Sequence, residues 1–309
     1  MPKNPSFEKL KSKIPDSGAI DYLIESLSGS DFNSLMLEIF RQRADQISPA
    51  DLLRDFEKNR FTQPTSLDPI LLLEAELDWL KKASLADFTS IILSPVSPLG
   101  TCSVVSKTNQ NNLISALRNT EVVADATNVL ALQLALNQKR NPEIGSERLA
   151  TVHRHVRAQH YENPNFTAHF GIFCLASAGK DRGNFDFELE EANRHLSLIL
   201  DILGKHFSKE QMVFKFFLRD ENPKLKIRLE EKENCWSAYP VTFETDSSKE
   251  YYSLFQFKVY VKIGDVQIDF ADGGPVDWVA KLTGNQKMRS FISGIGLELV
   301  LKLAGKAKE

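Results

Sequence analysis

The sequence predicts an α+β fold in which a mainly antiparallel sheet is flanked by helices. Three observations lead there. Residues 149–179 read as two long strands joined by a polar turn. Beyond residue 210 strand-like stretches follow one another with no crossover helix between them, whereas helices alternate with single strands only in the first half. A doubly wound parallel sheet needs a crossover between every pair of neighbouring strands, so that class is excluded.

At 309 residues the chain has room for one large domain or two modest ones and can bury about three quarters of its unfolded surface. Hydrophobic residues make up 42% and charged residues 26%, the balance of a globular protein. Thirty-eight Lys and Arg against 41 Asp and Glu give a formal charge of -3, which supplies no general attraction for nucleic acid. Cys102, Cys174 and Cys235 are widely spaced and form no Cys-x-x-Cys pair, so neither a disulfide framework nor a thiolate metal site is expected. The opening MPKNPSFEKLKSK is polar rather than secretory, and no apolar run reaches the ~18 residues of a membrane span. A cytoplasmic location is expected. The 20 phenylalanines suit a large core with a buried subunit interface.

Residues 1–65 read as a helical accessory region. Apolar positions recur at helical spacing over 17–28, 31–44 and 49–58, and Ser48 before Pro49 is a cap followed by a first-turn proline. Nothing in this region has a catalytic arrangement, and a packing or accessory role is expected. A boundary falls near 61–66, and residues 66–309 form the core. Asp68-Pro69 opens a helix, PILLLEAELDWLKK, that is apolar on more than one side and is therefore expected to be covered on both. It feeds a short strand over 88–93 that stops at Ser94-Pro95. Residues 100–120 are read as loops with one short strand. A helix follows over 121–138, with Glu121 and Asp125 in its first turn, as the helix dipole favours.

The hairpin carries the most chemistry. Along 150–161, Val152, Arg154, Val156 and Ala158 fall on one face, and His153, His155, Arg157, Gln159 and Tyr161 on the other. Asn163-Pro164-Asn165 supplies the turn, and the return arm over 169–177 is aromatic and apolar, as an interior strand is. A dense row of donors needs a ligand, a polar network or water opposite it. A simply solvated polar face is the plain alternative. His153 and His155 point the same way and invite a metal, but no carboxylate is fixed beside them, so no metal is assigned.

The helix over 186–207 shows one apolar stripe, Leu189, Ala192, Leu196, Ile199 and Leu203. The stretches 211–218, 224–230, 238–244, 252–262 and 266–271 read as strands, Asp272 as a turn cap before Gly273-Gly274, and LELVLKLAGKA as a closing helix after a short strand.

Over roughly 67–304 the order of elements and several motifs resemble the catalytic core of a class II aminoacyl-tRNA synthetase, nearest the histidyl group. DPILLLEAELDWLKKASLADFTSIILSP is similar to that family's first motif, a long helix and a strand ending in proline, here Pro95. VRAQ, HYENPNFTAH and FGIF are similar to its second motif, and GIGLELV to its third. GGPVDW stands where histidyl enzymes have Gly-Gly-Arg-Tyr-Asp, and NTEVVADATN resembles their substrate-contacting stretch. The resemblance implies a homodimer formed through the first motif and a site using ATP with Mg2+. It implies Arg157 as the catalytic, ATP-handling residue. Gln159, Glu162, Phe170 and Glu298 would join it around the nucleotide. Glu121, Thr127, His153, His155 and Asp277 would contact the amino acid.

The departures from the family bear on activity. Leu299 stands in place of the third-motif arginine, Pro275 in place of another arginine, and Gln159 in place of a glutamate. Leucine has no donor, and proline has neither charge nor backbone N–H. Phosphoryl-group chemistry needs such donors, and losing one costs several kcal/mol of transition-state stabilisation. Three readings follow: a paralogue with a retained amino-acid or nucleotide pocket and a regulatory or accessory role, not charging tRNA; a divergent ATP-dependent adenylating enzyme or ligase; and a non-catalytic dimeric interaction protein. No attached basic anticodon-recognition domain is visible, so tRNA would be met only through a partner.

Overall fold

The computed structural model describes residues 5–159, 167–248 and 251–304. The chain opens with helices α1 (Pro5–Lys11), α2 (Ser17–Asp21), α3 (Gly29–Ala44) and α4 (Pro49–Lys58). Ser28 and Ser48 cap the last two through the amides of Asp31 and Asp51. Next come α5 (Pro69–Leu85), β1 (Thr89–Ser90), β2 (Val96–Pro98), α6 (Thr101–Val105), β3 (Ser115–Ala116), β4 (Thr120–Val122) and α7 (Ala126–Arg140). The long hairpin is β5 (Glu147–Val156) and β6 (His169–Lys180). After it follow α8 (Asp186–Leu203), β7 (Met212–Leu218), α9 (Pro223–Leu229), β8 (Val241–Thr245), β9 (Phe255–Ile263), β10 (Val266–Val276), α10 (Trp278–Thr283), β11 (Met288–Gly296) and α11 (Leu297–Ala304).

The main sheet runs β1-β5-β6-β11-β10-β9-β7-β8. Its six central strands are antiparallel, and only the edge pairs β1–β5 and β7–β8 are parallel. The fold class read from the sequence is the one observed. A second sheet, β2-β4-β3, sits beside it.

Strand periodicity divides the core into two. On one face Phe173, Phe214, Phe216, Phe257 and Phe291 pack under α5 and α8, whose Trp79, Phe187, Leu196 and Ile199 are fully buried. On the other face α7 and α10 bury Leu130, Leu134, Trp278 and Val279 against Cys174, Ala176 and Ile292. Half of the 20 phenylalanines are buried in this first core, among them the stacked pair Phe257 and Phe291 at 6.2 Å between centroids.

Four local expectations are corrected. Residues 224–230 form a helix, α9, because Asn222 caps the Leu225 amide, Pro223 occupies the first turn, and buried Leu225 and Leu229 are four apart. The alternating Lys-Leu-Lys-Ile-Arg-Leu pattern satisfies both periods, and the cap decides. The helix expected from 121 starts at Ala126, with Asp125 as its cap and Glu121 inside β4. The strand expected over 88–93 is only Thr89–Ser90. Asp272 does not cap a turn: it lies inside β10, which runs on through Gly273 and Gly274. A Cβ at Gly273 would meet the Ile292 carbonyl oxygen at 2.5 Å, and one at Gly274 the Phe255 carbonyl oxygen at 2.3 Å, so both positions exclude any side chain.

Candidate functional site

Where β5 ends, the chain is clamped from both sides. The amides of Val156 and Ala158 donate to the carbonyls of Val123 and Asn112, and the Arg157 amide donates to Ala168 O at 2.9 Å. The Arg157 side chain turns inward. Its Nε donates to Ala124 O at 2.9 Å, and its guanidinium carbon lies 5.4 Å from the centre of the Phe170 ring. Arg157 therefore stands at the junction of two cavities, and both count it among their walls.

The first cavity, about 340 Å3, is lined by Asp125, Arg157, Gln159, Tyr251, Tyr252, Gln256 and Asp272, together with Cys102, Asn112 and Leu113. Its two carboxylates differ. Asp125 accepts from the Thr127 amide (3.0 Å) and hydroxyl (2.7 Å) on one oxygen and from Tyr251 OH (2.9 Å) on the other. Burial works to raise its pKa, but Arg157 and these donors outweigh it and hold the group ionised. Asp272 takes Tyr252 OH (3.2 Å) and Gln256 Nε2 (3.1 Å) on the same oxygen, Oδ2. Burial, with Asp269 nearby, pushes it up to about 6.

The second cavity, about 470 Å3, is lined by Arg157, Phe170, Lys258, Asp269, Asp272, Gly294, Gly296, Glu298, Leu299 and Lys302. A bulge shapes it. The β9–β10 register shifts between Asp269 and Ala271, so Asp269 faces Tyr260 while Asp272 faces Lys258. Residues three apart in a regular strand point to opposite faces; the extra residue brings both carboxylates to one side. Lys258 pairs with Asp269 at 2.5 Å. Opposite Asp272 lies Gly294, where a Cβ would touch Ile172 Cγ2 at 3.4 Å.

Arg154, on the other face of β5 from Arg157, bonds Glu298 (2.7 Å) and His169 (2.9 Å) instead. His169 thus stands with Arg154 rather than with His153 and His155. His155 is buried and its Nε2 accepts from the Ala126 amide at 3.0 Å, so the ring's proton sits on Nδ1. Burial drives it down to about 3, and it is neutral. Cys102 is pushed up to about 12 by burial and by Asp125 and Glu121, which rules it out as a thiolate nucleophile at neutral pH. Among the described residues no group of three or more His, Cys, Asp or Glu is placed to hold a metal.

Of the residues singled out from the sequence, Arg157, Gln159, Phe170 and Glu298 line the cavities. Thr127 acts one step back, fixing Asp125. Glu121 is fully buried behind the wall, where its carboxylate ties down the Gly100 and Cys102 amides and Gln110 Nε2. His153 lies beside His155, with 6.0 Å between ring centres. Asp277 is exposed, 2.7 Å from Lys281, and lines a separate depression with Asp181 and Arg289. Glu162 lies outside the described residues. No local pattern marks Tyr251, Tyr252, Gln256 and Asp272 as a group, because the pairing of β9 with β10 and the approach to β9 bring them together.

No family model matches this sequence, and no curated protein matches it. Solved structures do. An ATP phosphoribosyltransferase regulatory subunit/histidyl-tRNA synthetase from Bacillus halodurans aligns over 81% of this chain and 82% of its own, at TM-score 0.60 and 14% identity. Apo histidyl-tRNA synthetase from S. aureus aligns over 79% of this chain and 69% of its own, at TM-score 0.57 and 10% identity. The RNA binding domain of threonyl-tRNA synthetase from Cryptosporidium parvum Iowa II aligns over 77% and 64%, at TM-score 0.60 and 10% identity. At such identities the likeness is one of fold: the chain has a class II aminoacyl-tRNA synthetase-like architecture.

Proposed function

We propose that this chain is a synthetase-like paralogue that keeps a small-molecule pocket, for an amino acid or a nucleotide, and serves a regulatory or accessory role without charging tRNA. The observation that carries this is the first cavity: a half-open cleft of mixed polarity in which Asp272 and Arg157 offer the opposite charges a zwitterion requires. A regulatory subunit among the structures with this fold supports the accessory role.

Magnesium-bound ATP fits the second cavity poorly. Lys258 is committed to Asp269 and Lys302 sits 3.8 Å from Glu298, whose oxygens already accept from the Gly171 amide (2.9 Å), Arg154 (2.7 Å) and Thr65 (3.1 Å). Leu299 adds only hydrocarbon to the wall. One arrangement favours the second reading, a divergent adenylating enzyme: Arg157 lies over the Phe170 ring on the wall of the second cavity, a pairing of cation and aromatic face that a planar base suits.

The two readings separate in one pair of assays. Calorimetric titration with the twenty amino acids and with ATP is expected to give binding of an amino acid, and amino-acid-dependent pyrophosphate–ATP exchange is expected to be absent. Exchange with any amino acid establishes the second reading; no binding of any ligand removes the pocket and leaves an interaction protein.

We further propose a homodimer joined through α5. Ile70, Leu73 and Leu77 form an exposed apolar stripe at helical spacing, continued by fully exposed Ile92. Any contact with tRNA is assigned to a partner chain, since the formal charge of -3 favours none directly. No helix among the described residues is long and apolar enough to cross a membrane.

A further inference from the structure

The polar groups of the first cavity are not equivalent, and the difference carries information about the ligand. Both oxygens of Asp125 are occupied by Thr127 and Tyr251. Both donors to Asp272, Tyr252 and Gln256, converge on Oδ2. Among the described residues Oδ1 accepts no hydrogen bond, and Asp272 lines the first cavity as well as the second. A carboxylate oxygen in such a place wants a donor. Gln256 cannot rotate to serve it freely, because its own oxygen is turned toward Arg219 at 3.5 Å.

The charges point the same way. Among the described residues lining the first cavity, Asp125 and Asp272 face one cation, Arg157. Beyond them Asp269 and Lys258 cancel as a pair. A zwitterion leaves this balance one charge negative, whereas a ligand of net positive charge closes it. Resting on the pocket reading above, we propose that the first cavity selects a ligand with a cationic end group of the ammonium or guanidinium class, as in a basic amino acid, and that Oδ1 of Asp272 is the specificity-determining acceptor. Tyr252 and Gln256 are positioning residues that hold the carboxylate with this oxygen forward.

Burial and Asp269 raise the Asp272 pKa, Asp125 adds to the rise, and Lys258 and the Gln256 amide oppose it. A cationic ligand favours the charged form, so binding below about pH 6 requires release of a proton and weakens as pH falls.

The test is calorimetric titration of the whole chain with L-arginine and L-lysine and with their uncharged near-isosteres L-citrulline and L-norleucine, at about pH 7.5 and about pH 5. Each cationic ligand is expected to bind about tenfold or more tightly than its isostere at the higher pH, the scale of one charge-assisted hydrogen bond. The preference is expected to shrink at the lower pH and to disappear in Asp272→Asn, whose melting curve reports separately on folding. If the isosteres bind as well as the charged pair in the unaltered protein, the cation proposal is overturned while the pocket stands. If other amino acids bind and none of these four does, the outcome is the same. If no amino acid or nucleotide binds at all, the pocket itself is overturned.

Discussion

Arg154 and Glu298 meet at 2.7 Å where the hairpin adjoins the last helix, and the carboxylate is only 2% exposed. The same carboxylate accepts the Gly171 amide at 2.9 Å and the Thr65 hydroxyl at 3.1 Å. One side chain thus ties β6, α11 and the segment before α5 to a single point.

Removing it leaves the Arg154 guanidinium with His169 but no carboxylate, and a buried amide without an acceptor. Glu298→Ala is expected to cost about 3 kcal/mol of unfolding free energy, within the range for breaking buried ion pairs. Glu298→Gln keeps an acceptor and is expected to lose about half as much. Urea titration followed by far-UV circular dichroism checks both. Equal losses would show that charge is irrelevant at this junction.

His155 and Asp272 give stability opposite dependences on pH. The His155 pKa falls from 6.5 to about 3 on folding, so its contribution is intact above 6.5 and is lost as pH drops toward 3. The Asp272 pKa rises from 3.8 to about 6, so its contribution is present below 3.8 and is lost as pH rises through about 6. Two variants separate them. His155→Leu is expected to flatten the acid side of the stability curve, at about 1–3 kcal/mol lost near neutrality because the Ala126 amide loses its acceptor. Asp272→Asn is expected to gain about 1–2 kcal/mol above pH 6 and nothing below 3.8, since an ionised buried carboxylate is the form folding disfavours. Denaturant midpoints collected across that pH range decide the matter.

The segment after α4 reaches the site through Arg60, Gln63 and Thr65. Arg60 donates from Nη1 to Gln159 O at 3.2 Å and from Nη2 to Ala158 O, gripping the segment just beyond Arg157. Gln63 O lies 2.5 Å from His169 Nε2 at the other end of the hairpin opening. Arg60→Ala is therefore expected to weaken ligand binding about three- to tenfold while shifting stability by less than about 1 kcal/mol, as befits an exposed contact. A variant with unchanged affinity and a lowered melting temperature would make Arg60 a structural clamp only.

What the sequence disclosed, and what it hid, follows from how each feature is encoded. The hairpin and α8 were legible because their periodicity is local: His153, His155 and Arg157 alternate with Val152, Arg154 and Val156 within one strand. Arg157 and Phe170, which line the cavities, stand in one contiguous motif that can be picked out of the sequence. Asp272 cannot, because its partners Tyr252 and Gln256 come from the approach to β9 and β9 itself, its neighbour Gly294 from β11, and the bulge after Asp269 sets which way it faces. Strand register and bulges are properties of pairing rather than of one strand's letters. Glu121 was misread for the opposite reason: acidic residues near a helix start suggest dipole compensation, while its real work is to hold the 100–112 loop.

The apolar stripe on α5 supplies the last expectation. Asp68 caps the Ile70 amide at 2.8 Å, fixing the helix start, and Trp79 and Ala83 bury its inner side against the sheet. Ile70, Leu73 and Leu77 remain outward, each more than half exposed, with Leu71 beside them. Each such side chain gains about 1.5–3 kcal/mol when taken out of water, so a second copy covering this stripe recovers energy the lone chain forgoes. Leu73→Glu with Leu77→Glu places charges in the middle of that contact without touching the inner face. Sedimentation velocity is expected to show a dimer for the unaltered chain and a monomer for the double variant, with the same circular dichroism spectrum for both. A monomer in both cases at about micromolar concentration, weaker than ordinary stable interfaces sustain, would assign the stripe to a different partner.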